Sequence, residues 1–181
     1  IVVASAGNEG EDGMGYPGGL PQIISVAAGG WSSMYDQPFR WLSDVPEKLN
    51  SNDILGNNTQ TYLEDFSSRP VKELGQKHQD LDVAGPGALV VGPYKSAFAE
   101  NTNYYYLSGT SMSSPHVAAI SALVLEDNPD MEQAAMEKHL KNAAKGNPFP
   151  ADGAVIAYFG SYYLIPWNGG DYGSGLLKAD A

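Results

Sequence analysis

Apolar and polar residues along this chain fall into short apolar runs separated by glycine-rich and proline-rich turns. The chain opens Ile1-Val2-Val3-Ala4-Ser5, a β-branched run that predicts a buried parallel strand. Such a strand needs neighbours on both sides, so the chain reads as a piece of a longer protein. The turn Ala6-Gly7-Asn8-Glu9-Gly10 follows, then the Gly/Pro loop from Gly15 to Pro21 and a second strand, Ile23 to Ala28. Trp31 to Glu64 is polar with scattered aromatics. The run Val117 to Leu125 is small or apolar on all sides, which predicts a core helix. A second helix is predicted from Asp130 to Ala144, with Asp130 as cap, Gln133 three residues on, a face of Ala135, Met136, Leu140 and Ala143, and Gly146 as its end. Gly153 to Tyr163 reads as a hairpin or excursion.

Composition narrows the possibilities by exclusion. With 181 residues, 43% of them hydrophobic, the chain is long enough for one domain with a sizeable core. Ten basic residues against 21 acidic give a net charge of −11, which argues against nucleic acid or an anionic membrane as partner. The absence of cysteine excludes disulfides, thiolate metal sites and cysteine catalysis. No apolar run approaches the ~20 residues of a membrane span.

The stretch Leu107-Ser108-Gly109-Thr110-Ser111-Met112-Ser113-Ser114-Pro115-His116 carries the most specific chemistry. Gly109 and Thr110 allow another backbone to come close to Ser111. Pro115 is expected in the first helical turn, where no backbone donor is needed. A hydroxyl at the positive end of such a helix sits where developing negative charge is stabilised. Near the start of the chain, Asn8 offers two side-chain donors in a loop beyond the carboxyl end of a strand.

These two stretches together resemble the nucleophile and oxyanion segments of the subtilisin-like serine proteases, the subtilases. The resemblance implies an α/β fold, the C-terminal half of a subtilisin-like domain with a mostly parallel sheet flanked by helices. It spans residues 1–181, with insertions at about 29–65 and 147–170. It implies a serine endopeptidase that forms an acyl-enzyme on Ser111, with Asn8 and the Ser111 amide holding the oxyanion. Ser5, Ala6, Gly7 and Gly15 match the wall and back of the S1 pocket, beside Gly109 and Thr110, and an open pocket there would prefer large apolar P1 side chains. Phe66-Ser67-Ser68 matches a segment that begins a strand. Leu81 to Gly87 matches one that crosses the core before a short strand near Leu89-Val90-Val91. Gly173 to Ala181 resembles the closing segment, a short strand leading into a helix.

Family members often bind calcium. The carbonyls of Gly18, Leu20 and Ile23 with Asp82 match a weak cation site suited to Ca²⁺ or Na⁺; a buried Asp satisfying a turn is the equal alternative. The serine chemistry itself requires no cofactor. Asn57-Asn58-Thr59 fits a glycosylation sequon.

A serine nucleophile of this kind needs a His base and an Asp to orient it. Only His78, His116 and His139 are present. His116 matches a non-catalytic position, and the others lack the family's glycine-rich surroundings. In subtilases the catalytic Asp and His precede the segment matching Asn8. Both are therefore expected on an N-terminal part of the same protease, and the 181-residue chain alone is expected to be inactive and unable to fold stably. The expected partners are that upstream part and a peptide or protein substrate, with no nucleic acid and no membrane span, and the expected location is secreted. Two rival readings remain. A sedolisin-like acid serine peptidase shares the Gly-Thr-Ser approach, although Asn8 argues against it. A non-catalytic subtilase homologue would act as a binding or assembly module.

Overall fold

A computed structural model describes residues 1–31, 61–94, 103–150, 153–158 and 161–179. Its centre is a strand buried on both faces. Strand β1 (Val3–Ser5) runs parallel to β2 (Ile24–Trp31), pairing Val3 with Ile24 and Ser5 with Val26. The end of β2 pairs antiparallel with β3 (Thr61–Leu63), and its middle pairs parallel with β4 (Val83–Pro86). Parallel pairing around a central strand explains why the first two strands read as continuous apolar runs rather than as alternating ones.

Alternation reappears when the two faces of β2 and β4 are separated. Ile24, Val26 and Val83 join Val117, Met136, Leu140, Ala144 and Leu177 in a core on the helical side. Ala27 and Ala84 point to the other side, with Met14, Tyr62, Leu63, Leu81, Phe149, Trp167 and Leu176. Helix α1 (Thr110–Asp127) lies against β1, β2 and β4, and helix α2 (Gln133–Ala144) lies against β4. The approach of α1 is close because Gly85 has no side chain: a Cβ there would come within 2.9 Å of the Ser113 carbonyl oxygen.

Two hairpins lie outside this sheet: β5 (Val90–Tyr94) with β6 (Asn103–Leu107), and β7 (Ala154–Tyr158) with β8 (Ser161–Ile165). The second is the hairpin expected between Gly153 and Tyr163. The closing segment adds only a single parallel bridge, Leu176 to Ala84, with the Leu177 N–H donating to the Ala84 carbonyl at 2.8 Å.

Several boundaries differ from the sequence reading for identifiable reasons. Strand β2 continues to Trp31, past the end expected at Ala28, because its last residues pair with β3. Residues 32–60, including the sequon at Asn57, fall outside the described residues. Phe66-Ser67-Ser68 does not begin a strand, because its hydrogen bonds go to the loop after β1 and to the end of β2 instead of to a ladder. Ser68 N–H donates to Gly7 O at 3.0 Å, and Ser67 Oγ accepts from Ala28 N–H at 3.0 Å.

Asp130 is not the cap of α2. Glu132 occupies that position without a side-chain cap bond, and Ala135 is exposed while Ala144 is buried. Helix α1 is not enclosed on all sides: only Thr110, Ser113, Val117 and Ser121 are fully buried, whereas Ala118, Ala119 and Ala122 are exposed and Leu123 is 59% exposed. Pro115 lies in the second turn of α1 rather than the first, so the Ser111 carbonyl lacks its usual helical donor. No helix follows Leu176 among the described residues.

Candidate active site

The site is assembled from two chain segments at the carboxyl end of β1 and the amino end of α1. Ala6 continues the β1 pairing by donating its N–H to Val26 O at 2.9 Å. The chain then turns outward, so Asn8 leaves the sheet edge as an exposed side chain. On the other side, Gly109 is fixed by donating its N–H to Gly87 O at 2.8 Å, and α1 starts at the next residue.

Thr110 joins the two segments. Its N–H donates to Asn8 Oδ1 at 3.0 Å. Its Oγ1 lies 2.9 Å from Asn8 Oδ1 and 3.1 Å from Gly7 O, able to donate to one at a time, and accepts from Gly7 N–H at 3.3 Å. Because a backbone N–H needs an acceptor, the Asn8 carboxamide oxygen must face Thr110 and Nδ2 must face away. Among the described residues nothing accepts from Asn8 Nδ2 or from Ser111 N–H. Both donors border the same space, since a methyl group built on Gly109 would sit 3.7 Å from each. Two free N–H donors converging at the amino end of an 18-residue helix form a place for negative charge. The Ser111 side chain is exposed beside them.

Gly15 lies against the Ser5–Gly7 segment. Gly15 N–H donates to Ala6 O at 2.8 Å, and Gly19 N–H donates to Gly15 O at 2.7 Å. Gly18 abuts the Ser5 carbonyl so closely that no side chain fits. Ser68 closes the loop from behind: its Oγ accepts from Glu9 N–H at 3.0 Å and donates to Glu9 Oε2 at 2.9 Å.

Asp82 is committed elsewhere. Its Oδ2 accepts from Ser25 N–H at 2.7 Å, and its Oδ1 is ion-paired with Lys141 Nζ at 2.5 Å. The Leu20 carbonyl accepts from Ile23 N–H at 3.0 Å. Two of the four residues expected to hold a cation, Leu20 and Asp82, thus have partners within the protein, and the Asp82 carboxylate faces an ammonium group. Burial pushes the Asp82 carboxyl up to about 6, against the Lys141 and Ser25 hydrogen bonds that favour its charged form. Burial works against the charge on Lys141, but Asp82 and Glu137 outweigh it and raise the ammonium pKa. Glu64, buried beside Tyr62, is raised by desolvation to about 7 even though the Tyr62 hydroxyl donates to it at 3.1 Å.

None of the three histidines bonds to Ser111. His116 Nδ1 is engaged with Met112 O at 2.7 Å, His78 is exposed against Gly170, and His139 lines a groove between α1 and α2.

Sequence reasoning missed the groups that brace the site. Gln133 clamps the start of the chain, accepting from Val2 N–H at 2.7 Å and donating to Val2 O at 3.0 Å. Ser68 and Gln76 also escaped it. No spacing rule signals contacts between residues 59 to 131 positions apart; only the polar character of Gln133 on a helix facing the sheet edge hinted at one.

The fold agrees with comparison to known proteins. The model of the subtilase family, Peptidase S8, matches residues 1–161. The chain belongs to the subtilase family. M-protease of Shouchella clausii (strain KSM-K16) is 28% identical over all 181 residues, which cover 32% of that protein. Subtilisin BL of Lederbergia lenta is also 28% identical over the whole chain, covering 45% of its length. A protease structure from Pseudoalteromonas arctica PAMC 21717 superposes with a TM-score of 0.59 at 21% identity, over 99% of this chain and 40% of the other, a likeness of fold. The chain therefore spans less than half the length of these relatives.

Proposed function

We propose that this chain is the nucleophile-bearing part of a serine endopeptidase, and that Ser111 attacks the substrate. The observation that carries the reading is the convergence of two unpaired donors, Asn8 Nδ2 and Ser111 N–H, beside the exposed Ser111 hydroxyl. In the proposed reaction Ser111 Oγ bonds to the scissile carbonyl carbon as its proton passes to a histidine base. The carbonyl electron pair moves onto oxygen, and the two donors hold that oxyanion. Collapse expels the amine, which takes the proton from the histidine, and leaves an acyl-enzyme on Ser111. Water deprotonated by the same histidine then releases the acid.

The base and its orienting Asp belong, on this reading, to an N-terminal part of the same protease. The exposed apolar side chains of Leu123 on α1 and of Ile1 and Val2 beside β1 support that assignment, since further elements of a parallel α/β sheet normally cover such groups. Ser5–Gly7 and Gly15 would receive the P1 side chain, and their open backbone surfaces favour a large apolar one. A secreted location follows from the family resemblance alone. Any calcium or sodium ion at the carbonyls of Gly18, Leu20 and Ile23 would compete with Lys141 for Asp82, an ion pair that neither the cation-site nor the turn-capping reading anticipated. The serine chemistry itself needs no metal.

Fluorophosphonate labelling of the protein with its upstream part, read by intact mass and adduct mapping, tests this function. An adduct confined to Ser111 is expected. A folded, complete protein that takes no label would overturn the reading in favour of a non-catalytic binding module.

A further inference from the structure

Residues 66–76 form a strap behind the loop that runs from Gly7 to Gly15. Gly10 N–H donates to Phe66 O at 2.8 Å, Ser68 N–H to Gly7 O at 3.0 Å, and Arg69 N–H to Gly10 O at 2.9 Å. The strap ends in Gln76, which is 6% exposed. Its Oε1 accepts from Met14 N–H at 2.9 Å and from Val71 N–H at 3.0 Å, while its Nε2 donates to Met14 O at 2.8 Å. One side chain thus satisfies both backbone groups of the residue immediately before Gly15. It also touches the far limb of the same loop, because a Cβ on Gly19 would lie 3.3 Å from Gln76 Nε2. Met14 itself is buried, with its sulfur 3.7 Å from the Ser25 hydroxyl, so this stretch is pinned by side chain and backbone together.

We propose that Gln76 is a positioning residue for P1 selectivity: by clamping both backbone groups of Met14 it sets the depth at which Gly15 closes the S1 pocket. The proposal rests on the reading of Gly15 as the back of that pocket. Gln76 touches no substrate and acts through Met14 and Gly15. A carboxamide suits the task because it carries a donor and an acceptor in one plane, matching the paired N–H and C=O of a backbone unit as a neighbouring strand would. Alanine removes all three hydrogen bonds. Glutamate keeps both accepting contacts and sets a carboxylate oxygen against Met14 O.

The test is the ratio of kcat/KM for peptide substrates with Phe and with Ala at P1, measured in the complete protease, with fluorophosphonate labelling of Ser111 counting the folded, active molecules. The ratio cancels changes in stability and in the shared catalytic step. Gln76→Ala is expected to lower it about tenfold, the scale of a sub-ångström misplacement, mainly through KM for the Phe substrate. Gln76→Glu is expected to fall between Ala and the native residue. Gly15→Val serves as the control, and it should abolish the preference for Phe. Wild-type ratios in both Gln76 variants, with Gly15→Val effective, overturn the role of Gln76. A Gly15→Val enzyme with an unchanged ratio overturns the pocket assignment itself, and the proposal with it. If Gln76→Ala takes no label because it fails to fold, Gln76→Glu decides between the same two results.

Discussion

Replacing Thr110 by valine probes the core of the site with little change of shape. The two side chains are both β-branched and similar in volume, so the substitution removes a hydroxyl and leaves the start of α1 in place. Thr110 is 1% exposed. Its hydroxyl serves Gly7 N–H at 3.3 Å and lies 2.9 Å from Asn8 Oδ1. Valine leaves the Gly7 N–H without an acceptor, at a cost of about 1–3 kcal/mol, most of it appearing in stability. The catalytic effect is separate. Asn8 keeps one of its two anchors, the Thr110 N–H at 3.0 Å, so its amide swings without being lost.

In a subtilisin, deleting the oxyanion asparagine that Asn8 resembles costs about 10²–10³ in turnover. Loss of one anchor of two should therefore lower kcat about tenfold, or roughly 1.4 kcal/mol. KM should stay within about twofold, because the donors engage the oxyanion and not the ground-state carbonyl. The assay is steady-state hydrolysis of one peptide substrate by the complete protease carrying Thr110→Val, Thr110→Ser or Asn8→Ala. Serine keeps the hydroxyl and should restore most of the rate. If Thr110→Val turned over at the native rate while Asn8→Ala lost about a hundredfold or more, Thr110 would have no part in orienting Asn8.

Three further outcomes concern stability, measured by denaturant unfolding in a Ser111→Ala background that prevents self-digestion. Lys141→Ala strands the Asp82 carboxylate, which is 4% exposed, and should cost about 3–5 kcal/mol, whereas the double change Asp82→Asn with Lys141→Met should come near neutral; a single-variant cost below about 1 kcal/mol would refute the ion pair's importance. Glu64 holds its proton more tightly folded, at about 7, than unfolded, at 4.5. Its folded pKa is raised, so the contribution is most favourable below pH 4.5 and declines until pH 7, by about 3 kcal/mol in total. Glu64→Gln should flatten stability across that window, and an unchanged slope there would contradict the burial argument. Gln133→Ala frees both backbone groups of Val2 and should speed amide hydrogen exchange along β1, at a cost of about 1 kcal/mol because the clamp is exposed; unaltered protection would show that pairing with β2 alone holds the strand.

The features legible in the sequence were those set by local chemistry. Ile1 to Ser5 and Ile23 to Ala28 announced their strands because the central strand is buried on both faces and each run, apart from Ser5 and Ser25, is apolar. Gly109-Thr110-Ser111 and Asn8 announced the candidate site because the proposed oxyanion would need donors of fixed type next to a glycine. Contacts made at long range were not legible. The apolar run after Ser111 suggested complete burial, yet Ala119 and Leu123 are open to solvent, since hydrophobicity records what a surface is suited to bury and not what covers it within one chain. Asp82 looked equally like a cation ligand and a buried capping residue. Lys141, 59 positions away, decided its partner, and nothing in the local sequence of either residue encodes that pairing. Phe66-Ser67-Ser68 misled because a serine-rich segment bracing a loop and one starting a strand have the same composition.

The half-open state of α1 bears on the fate of the protein in a cell. Leu123 at 59% exposure, with Ala118, Ala119 and Ala122 beside it and Ile1 and Val2 exposed on the neighbouring edge, presents the kind of surface that chaperones and housekeeping proteases treat as a mark of unfinished folding. Any segment that packs on this face would hide it from that surveillance.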